Sequence, residues 1–379
     1  MSMTDELLGQ DRVDALARIL LSADPTASTR ALQAAATSLA DLGLSDRARH
    51  LARAVLEDHG TDPLRINALA RTALGDPEFS GWMLWPVGLA IVRSALDAGT
   101  ADAFDDALAM LREMTPRMTS EFAIRPLLRH DSSRALAQMQ HWAEDPDWHV
   151  RRLASEGSRP LLPWAERIPA LVADPSQTRA ILDALFDDPE ESVRRSVANH
   201  VNDHSRHHPG YVVETVAAWR ETGGDHIERT ARHALRTLLK RGDPGALALL
   251  GFDRAELEVS PLALSDERVA LGRGVTFSGA VTNLGDEPVR LMIDYVLTFP
   301  DARGRERVKV FKLASRELAP GETTEISGAQ SFRQITTRRY YPGTASVSLQ
   351  INGIVHTPAT FALVDPDLHS KAAAPSPAI

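Results

Sequence analysis

The chain has 379 residues, of which 43% are hydrophobic, 25% charged and 5% aromatic, with a formal net charge of −9 and no cysteine. That length and apolar content allow two domains with ample core, and the missing cysteines exclude a disulfide framework, a thiolate zinc site and a cysteine nucleophile. The N-terminus lacks a basic-then-apolar signal and no apolar run approaches the ~18 residues of a membrane span, so a cytoplasmic protein without a membrane partner is expected.

Residues 1–255 read as helix after helix. "DELLGQDRVDALARILLSAD" and "DPLRINALARTALGD" place apolar residues at i, i+3, i+4, and Asp24-Pro25, Gly60, Gly75 and Gly99 punctuate the segments. The negative charge concentrates at the start: residues 1–116 carry 10 Lys+Arg against 17 Asp+Glu, and residues 117–250 carry 18 against 19. A near-balanced region can still present one basic face, so the global sign does not speak against a polyanion.

A repeat lies inside this array. Asp145-Pro146 precedes Val150-Arg151-Arg152, and Asp188-Pro189 precedes Val193-Arg194-Arg195, at an offset of 43 residues. A degenerate third copy puts Ile227 and Arg229 in the same places. Helix pairs at a period of ~40–47 residues make a HEAT-like α-solenoid with a concave face. Each Asp-Pro reads as N-cap and first helical residue, with Gly157 as the stop of the helix that opens at Pro146.

Three acids stand out. Glu156 is the last charged residue before Gly157, where the helix dipole favours a cation. Asp203 sits near the end of the next repeat's helix, also against the dipole, and stacking would bring it beside Glu156. Glu121 follows Thr119-Ser120 and precedes a buried-looking Phe-Ala-Ile run. Arg152 and Glu156 are four apart and could simply pair, and Glu121 could be an ordinary N-terminal acid. The doubled arginines, Arg151-Arg152 and Arg194-Arg195, recur at one register and suit a polyanion. Trp142 reads as core, whereas Trp148 and Trp164 flank the helix and could line a cleft. His200, His204 and His208 fall at i, i+4, i+8 beside Asp203, but HExxH is missing and Pro209 ends the helix, so no metal is expected.

From about residue 257 the texture changes to short, β-branched, alternating segments such as "GVTFSGAVTNLG" and "VRLMIDYVLTF", with Asn352-Gly353 as a hairpin turn. An immunoglobulin-like β-sandwich is expected over residues 257–366, with a disordered tail at 367–379. Residues 301–341 hold 9 Lys+Arg against 5 Asp+Glu, among them Arg338 and Arg339 beside Tyr340 and Tyr341. Basic residues interleaved with aromatics fit a nucleic-acid contact or, equally, a charged edge strand.

"TSEFAIRPLL", "DPDWHVRRLASEGSRPLLPW", "DPEESVRRSVANHVND" and "TTRRYYPG", in this order, resemble the AlkC branch of the AlkD-like DNA alkylation-repair glycosylases over residues 119–365. The resemblance implies a multidomain chain, a HEAT-like solenoid followed by an immunoglobulin-like domain. It also implies hydrolysis of the N-glycosidic bond of cationic alkylpurines in double-stranded DNA, chiefly 3-methyladenine, by a monomer needing no cofactor or metal. By motif position Glu156 matches the main catalytic carboxylate, with Glu121 and Asp203 as companions. Arg152 and Trp164 match the lesion-facing surface, while Arg159 and the arginines near 338 match backbone contacts. Trp148, Arg195 and Tyr340 are also expected at DNA, as is His204, which departs from the apolar residue expected in relatives. The three acids, set among arginines, are expected to stay ionised near neutral pH. The competing reading is a non-enzymatic solenoid scaffold that binds damaged or branched DNA, or a protein.

Overall fold

The computed structural model describes residues 3–335 and 339–365; Arg338 and the tail expected at 367–379 lie outside the described residues. Helices run from Met3 to Leu249 and strands from Leu257 to Val364. No helix among the described residues is long and apolar enough to cross a membrane. Packing divides the chain into two compact units between Ala234 and Leu235, ahead of the boundary expected near residue 255. The helices Arg236–Arg241 and Pro244–Leu249 therefore fall in the second unit with the strands. There Gln350 Nε2 donates to Lys240 O at 3.2 Å. Gly242 and Gly353 meet backbone to backbone, and a Cβ on Gly242 would lie 2.7 Å from Gly353 Cα.

In the first unit the repeat is a row of three helices, Trp148–Gly157, Glu191–Asp203 and Ile227–Ala234, each packed on the next. Val150, Leu153 and Ala154 of the first, Val193 and Val197 of the second, and Ile227 and Ala231 of the third are buried at helical spacing. Both Asp-Pro pairs lie ahead of their helices rather than inside them. Asp145 accepts from Asp147 N–H at 2.9 Å and Asp188 from Glu190 N–H at 2.8 Å, so each forms an Asx turn. The helices begin two residues later than expected, at Trp148 and Glu191, and Asp147 is the cap that receives the His149 N–H. Gly157 is the last helical residue, and its missing Cβ makes room for Ile124 Cγ2, which a Cβ would meet at 3.0 Å.

The doubled arginines divide their labour. Arg151 donates through Nη1 to Asp145 O (2.9 Å) and Pro146 O (3.1 Å), and through Nε to Asp188 of the next repeat (2.6 Å). Arg194 returns in the same way to Pro189 O (2.8 Å). Arg112 pairs with Asp145 one repeat earlier. The first arginine of each doublet thus ties its own turn down, and only the second is left for other work.

The second unit contains β1 (Leu257–Val259), β2 (Ala263–Leu264), β3 (Arg268–Ala270), β4 (Gly274–Asn283), β5 (Val289–Pro300), β6 (Glu306–Leu318), β7 (Thr323–Ser331), β8 (Gly343–Ile351), β9 (Ile354–Val355) and β10 (Ala359–Val364). One sheet pairs β4 with β1, β2 and β7; the other runs β3-β10-β8-β5-β6, with β9 on β8. Pairing is antiparallel except between β3 and β10. Phe277 and Ile326 from one sheet meet Leu291, Leu297, Val347 and Phe361 from the other in the core, each such buried side chain contributing about 1.5–3 kcal/mol. The Asn352-Gly353 turn has positive φ at both residues, 45° and 83°, as a two-residue hairpin loop requires. β6 ends its sheet, and its exposed first half carries Arg307 and Lys309.

Candidate active site

Glu156, Glu121 and Asp203 come from three separate stretches of the first unit and meet in one alternating row with two arginines. Arg159 Nη1 donates to Glu156 Oε1 at 2.7 Å, while its Nε and Nη2 grip Asp203 at 2.9 and 3.0 Å. Arg152 Nη1 donates to Glu121 Oε2 at 2.9 Å, and its Nη2 lies 3.7 Å from Glu156 Oε2. Thr119 Oγ1 donates to the same Glu121 oxygen at 3.0 Å. The order is Glu121, Arg152, Glu156, Arg159, Asp203: three carboxylates and two guanidiniums, one negative charge in excess. Glu121 and Glu156 are 8% and 5% exposed.

Glu156 therefore does have partners within its own stretch of chain, and its position at a helix C-terminus is compensated from elsewhere. Arg125, the first residue of the helix Arg125–His130, is 2% exposed. Its Nη1 donates to Gly157 O (3.1 Å) and Arg159 O (2.9 Å), and its Nε to Glu166 O (2.6 Å). It supplies the cation that the dipole at the end of Trp148–Gly157 calls for, and it fixes the backbone on both sides of Arg159. Sequence reasoning missed it, although a signal was present: an arginine at a helix N-terminus opposes the dipole just as Glu156 does at a C-terminus.

Two expected DNA contacts are corrected here. Arg159 is 7% exposed with its guanidinium held by Glu156 and Asp203, so it is placed as a partner of the acids rather than as an exposed cation. Burial works to lower its pKa, but the hydrogen bonds and charges of Asp203 and Glu156 outweigh that and raise it. His204 is 2% exposed. Burial, then the neighbouring His208 and His207, lower its pKa to about 4, so it is neutral and away from any phosphate. Its ring lies 5.9 Å from those of His200 and His208 and 5.7 Å from that of Tyr211. The histidines do not converge on an ion: His200 engages Ser155 O and Thr178 Oγ1, and His208 engages Val172 O. Among the described residues no group of three His, Cys, Asp or Glu side chains could hold a metal.

Asp203 is paired through both oxygens with Arg159. Burial raises its pKa, and the Arg159 bonds offset this only in part. The sign has a consequence for stability. The group favours folding below the ordinary carboxylate range, and that contribution is lost as pH rises through the folded-state value, so the ionised carboxylate works against the fold.

The flanking residues are arranged around this row. Trp148 is half-buried, with its ring stacked on His149 at 3.7 Å, and with Thr119, Arg152 and Ser192 it lines a cavity of about 310 Å³. Trp164 is 70% exposed and holds a positive φ of 64°, a conformation unusual for a bulky residue and typical of functional loops. Arg195 is exposed and, with Arg229 and His233, lines a second cavity of about 280 Å³. A roomier cavity, about 820 Å³, opens elsewhere on the helices Leu44–His59 and Leu84–Ala98; Leu42, Leu56, Leu89 and Val92 line it and none of the three acids reaches it. Phe122, next to Glu121, stacks on Trp85 at 4.5 Å and anchors the turn that carries the acid. In the second unit Arg339 is exposed, but Tyr340 is 3% exposed and packs between Phe299 and Phe332, so it is a core residue rather than a DNA contact.

Comparison with known proteins places this arrangement. Residues 43–241 match the DNA alkylation repair enzyme family. The chain belongs to that family. The three acids, Arg125, Arg152 and Arg159 all fall within the match. Residues 258–365 match the C-terminal Ig-like domain described for the uncharacterised protein YhaZ, so the second unit of this DNA alkylation repair family member carries an Ig-like domain. Protein YhaZ of Bacillus subtilis (strain 168) is 41% identical over 253 residues, 66% of this chain and 70% of its own length. The alkylpurine DNA glycosylase AlkC of Pseudomonas fluorescens, solved bound to DNA containing an abasic site analog, is 33% identical. That structure matches with a TM-score of 0.82 over 96% of this chain and 100% of its own.

Proposed function

We propose that this chain is a monofunctional DNA glycosylase that hydrolyses the N-glycosidic bond of cationic alkylpurines, 3-methyladenine above all, in double-stranded DNA. The observation that carries this reading is the nearly buried row of three carboxylates, Glu121, Glu156 and Asp203, alternating with two arginines. An alkylated purine is already a cation, so its glycosidic bond is weak and the base departs neutral. The positive charge then develops on the deoxyribose. A fixed carboxylate beside that sugar stabilises the transition state more than the ground state, and its second oxygen can orient the attacking water. Glu156, central in the row, takes the main role, with Glu121 and Asp203 as companions.

Nothing in this chemistry asks for a metal, a redox centre or a covalent nucleophile. Trp148 and Trp164 would face the duplex beside the lesion, and Arg195 a phosphate. In the Ig-like domain the exposed Arg307, Lys309, Arg333 and Arg339 are among the cations that would meet the backbone, with Arg338 beside Arg339 in sequence. The working unit is a monomer acting in the cytoplasm. The scaffold alternative requires no acids at all, and three of them meeting at one row of arginines favours the enzyme. Incubation with duplex DNA treated with a methylating agent is expected to release free 3-methyladenine, detected chromatographically. Tight binding with no base release would favour the scaffold.

A further inference from the structure

Arg152 is held differently from the rest of the row. Its side chain is 26% exposed, whereas those of Glu121, Glu156, Arg159 and Asp203 are at 10% or below. Arg159 is locked by three short bonds, but Arg152 has one bond to Glu121 at 2.9 Å and a looser 3.7 Å approach to Glu156. The cavity of about 310 Å³ lined by Thr119, Trp148 and Ser192 adjoins it and offers room to turn into. Glu121 keeps its Thr119 hydroxyl bond if Arg152 departs.

We infer that Arg152 is a specificity-determining residue that stands in for the substrate's charge: its guanidinium occupies the space between Glu121 and Glu156 that a cationic lesion or sugar takes, and it yields only to another cation. The inference rests on the proposed glycosylase reading and deepens it. Moving Arg152 aside leaves the nearly buried Glu121 without a cationic partner and Glu156 with Arg159 alone, an arrangement that is disfavoured unless a replacement cation arrives. A cationic base or a developing sugar cation supplies it. A neutral lesion supplies nothing, and the row closes again around Arg152. Selectivity then comes from an exchange of cations and needs no shape-sensing pocket.

The test compares binding of two duplexes, one with an uncharged tetrahydrofuran abasic analogue and one with a cationic pyrrolidine analogue at the same position. In Arg152→Gln the preference for the pyrrolidine duplex should rise at least about tenfold over wild type, since no internal cation has to be displaced from a close charge pair. Arg152→Met provides the same readout should the glutamine variant fold poorly, and Arg152→Lys, which keeps the charge, should restore a preference close to wild type. If Arg152 serves the DNA backbone alone, Arg152→Gln weakens both duplexes equally and the ratio stays put, which overturns the inference. The two readings fail separately: wild type that releases no base from methylated DNA overturns the glycosylase assignment, whereas base release with an unchanged ratio overturns only the role of Arg152.

Discussion

Glu156→Gln is expected to slow base release by at least about 100-fold, the scale of losing one preorganised charge-stabilising group, with DNA affinity nearly unchanged. The amide keeps the shape of the carboxylate, and its oxygen can still accept the 2.7 Å bond from Arg159, so the row should stay assembled. What disappears is the negative charge facing the sugar. Asp203→Asn should give a smaller loss, because two carboxylates remain and Asp203 spends both oxygens on Arg159. Single-turnover rates, with affinity measured in parallel, separate chemistry from binding. A Glu156→Gln rate close to wild type would show that the acid is structural.

The second large effect concerns which bases leave. A carboxylate row can stabilise a cation, and the proposed mechanism assigns it no proton to donate. Bases that begin as cations, such as 3-methyladenine, should be released, whereas uracil and hypoxanthine, whose departure needs protonation or anion stabilisation, should be left in place. Release should also continue in EDTA, since the residues supply the whole of the chemistry proposed. Measured against matched duplexes, the gap between 3-methyladenine and uracil should exceed about 1,000-fold, the order available when a whole catalytic group is absent. Efficient uracil release, or loss of activity on chelation, would refute the mechanism while leaving family membership intact.

How much of this could be read from the sequence depended on whether the signal was local. The helical repeat, the change of texture near residue 257 and the Asn352-Gly353 hairpin are periodicities or turn chemistry, and they survive in the structure. The acids were visible because Glu156 and Asp203 oppose their own helix dipoles. Burial is not local, and the misplacements come from there. Arg159 and His204 are expected at DNA from the resemblance, yet both are buried, and Tyr340 sits in a basic loop sequence while its ring fills the sandwich core. The doublets Arg151-Arg152 and Arg194-Arg195 repeat faithfully, but one member of each serves its own Asp-Pro turn. Only the carbonyls that Arg151 and Arg194 meet tell the two members apart. Arg125 needed a further step, since its target is the end of a helix that lies later in the chain.

The central claim is that ionised carboxylates, with no general acid, carry the reaction. It is tested most directly by the single-turnover rate of 3-methyladenine release against pH. The rate should climb on the acid side, and Asp203 should move its own share of that limb upward because burial raises its pKa. It should then stay level up to about pH 9, since no proton donor titrates in a step that needs none. A rate that falls as pH rises through neutrality, in wild type but not in Glu156→Gln, would identify Glu156 as a proton donor and contradict the claim.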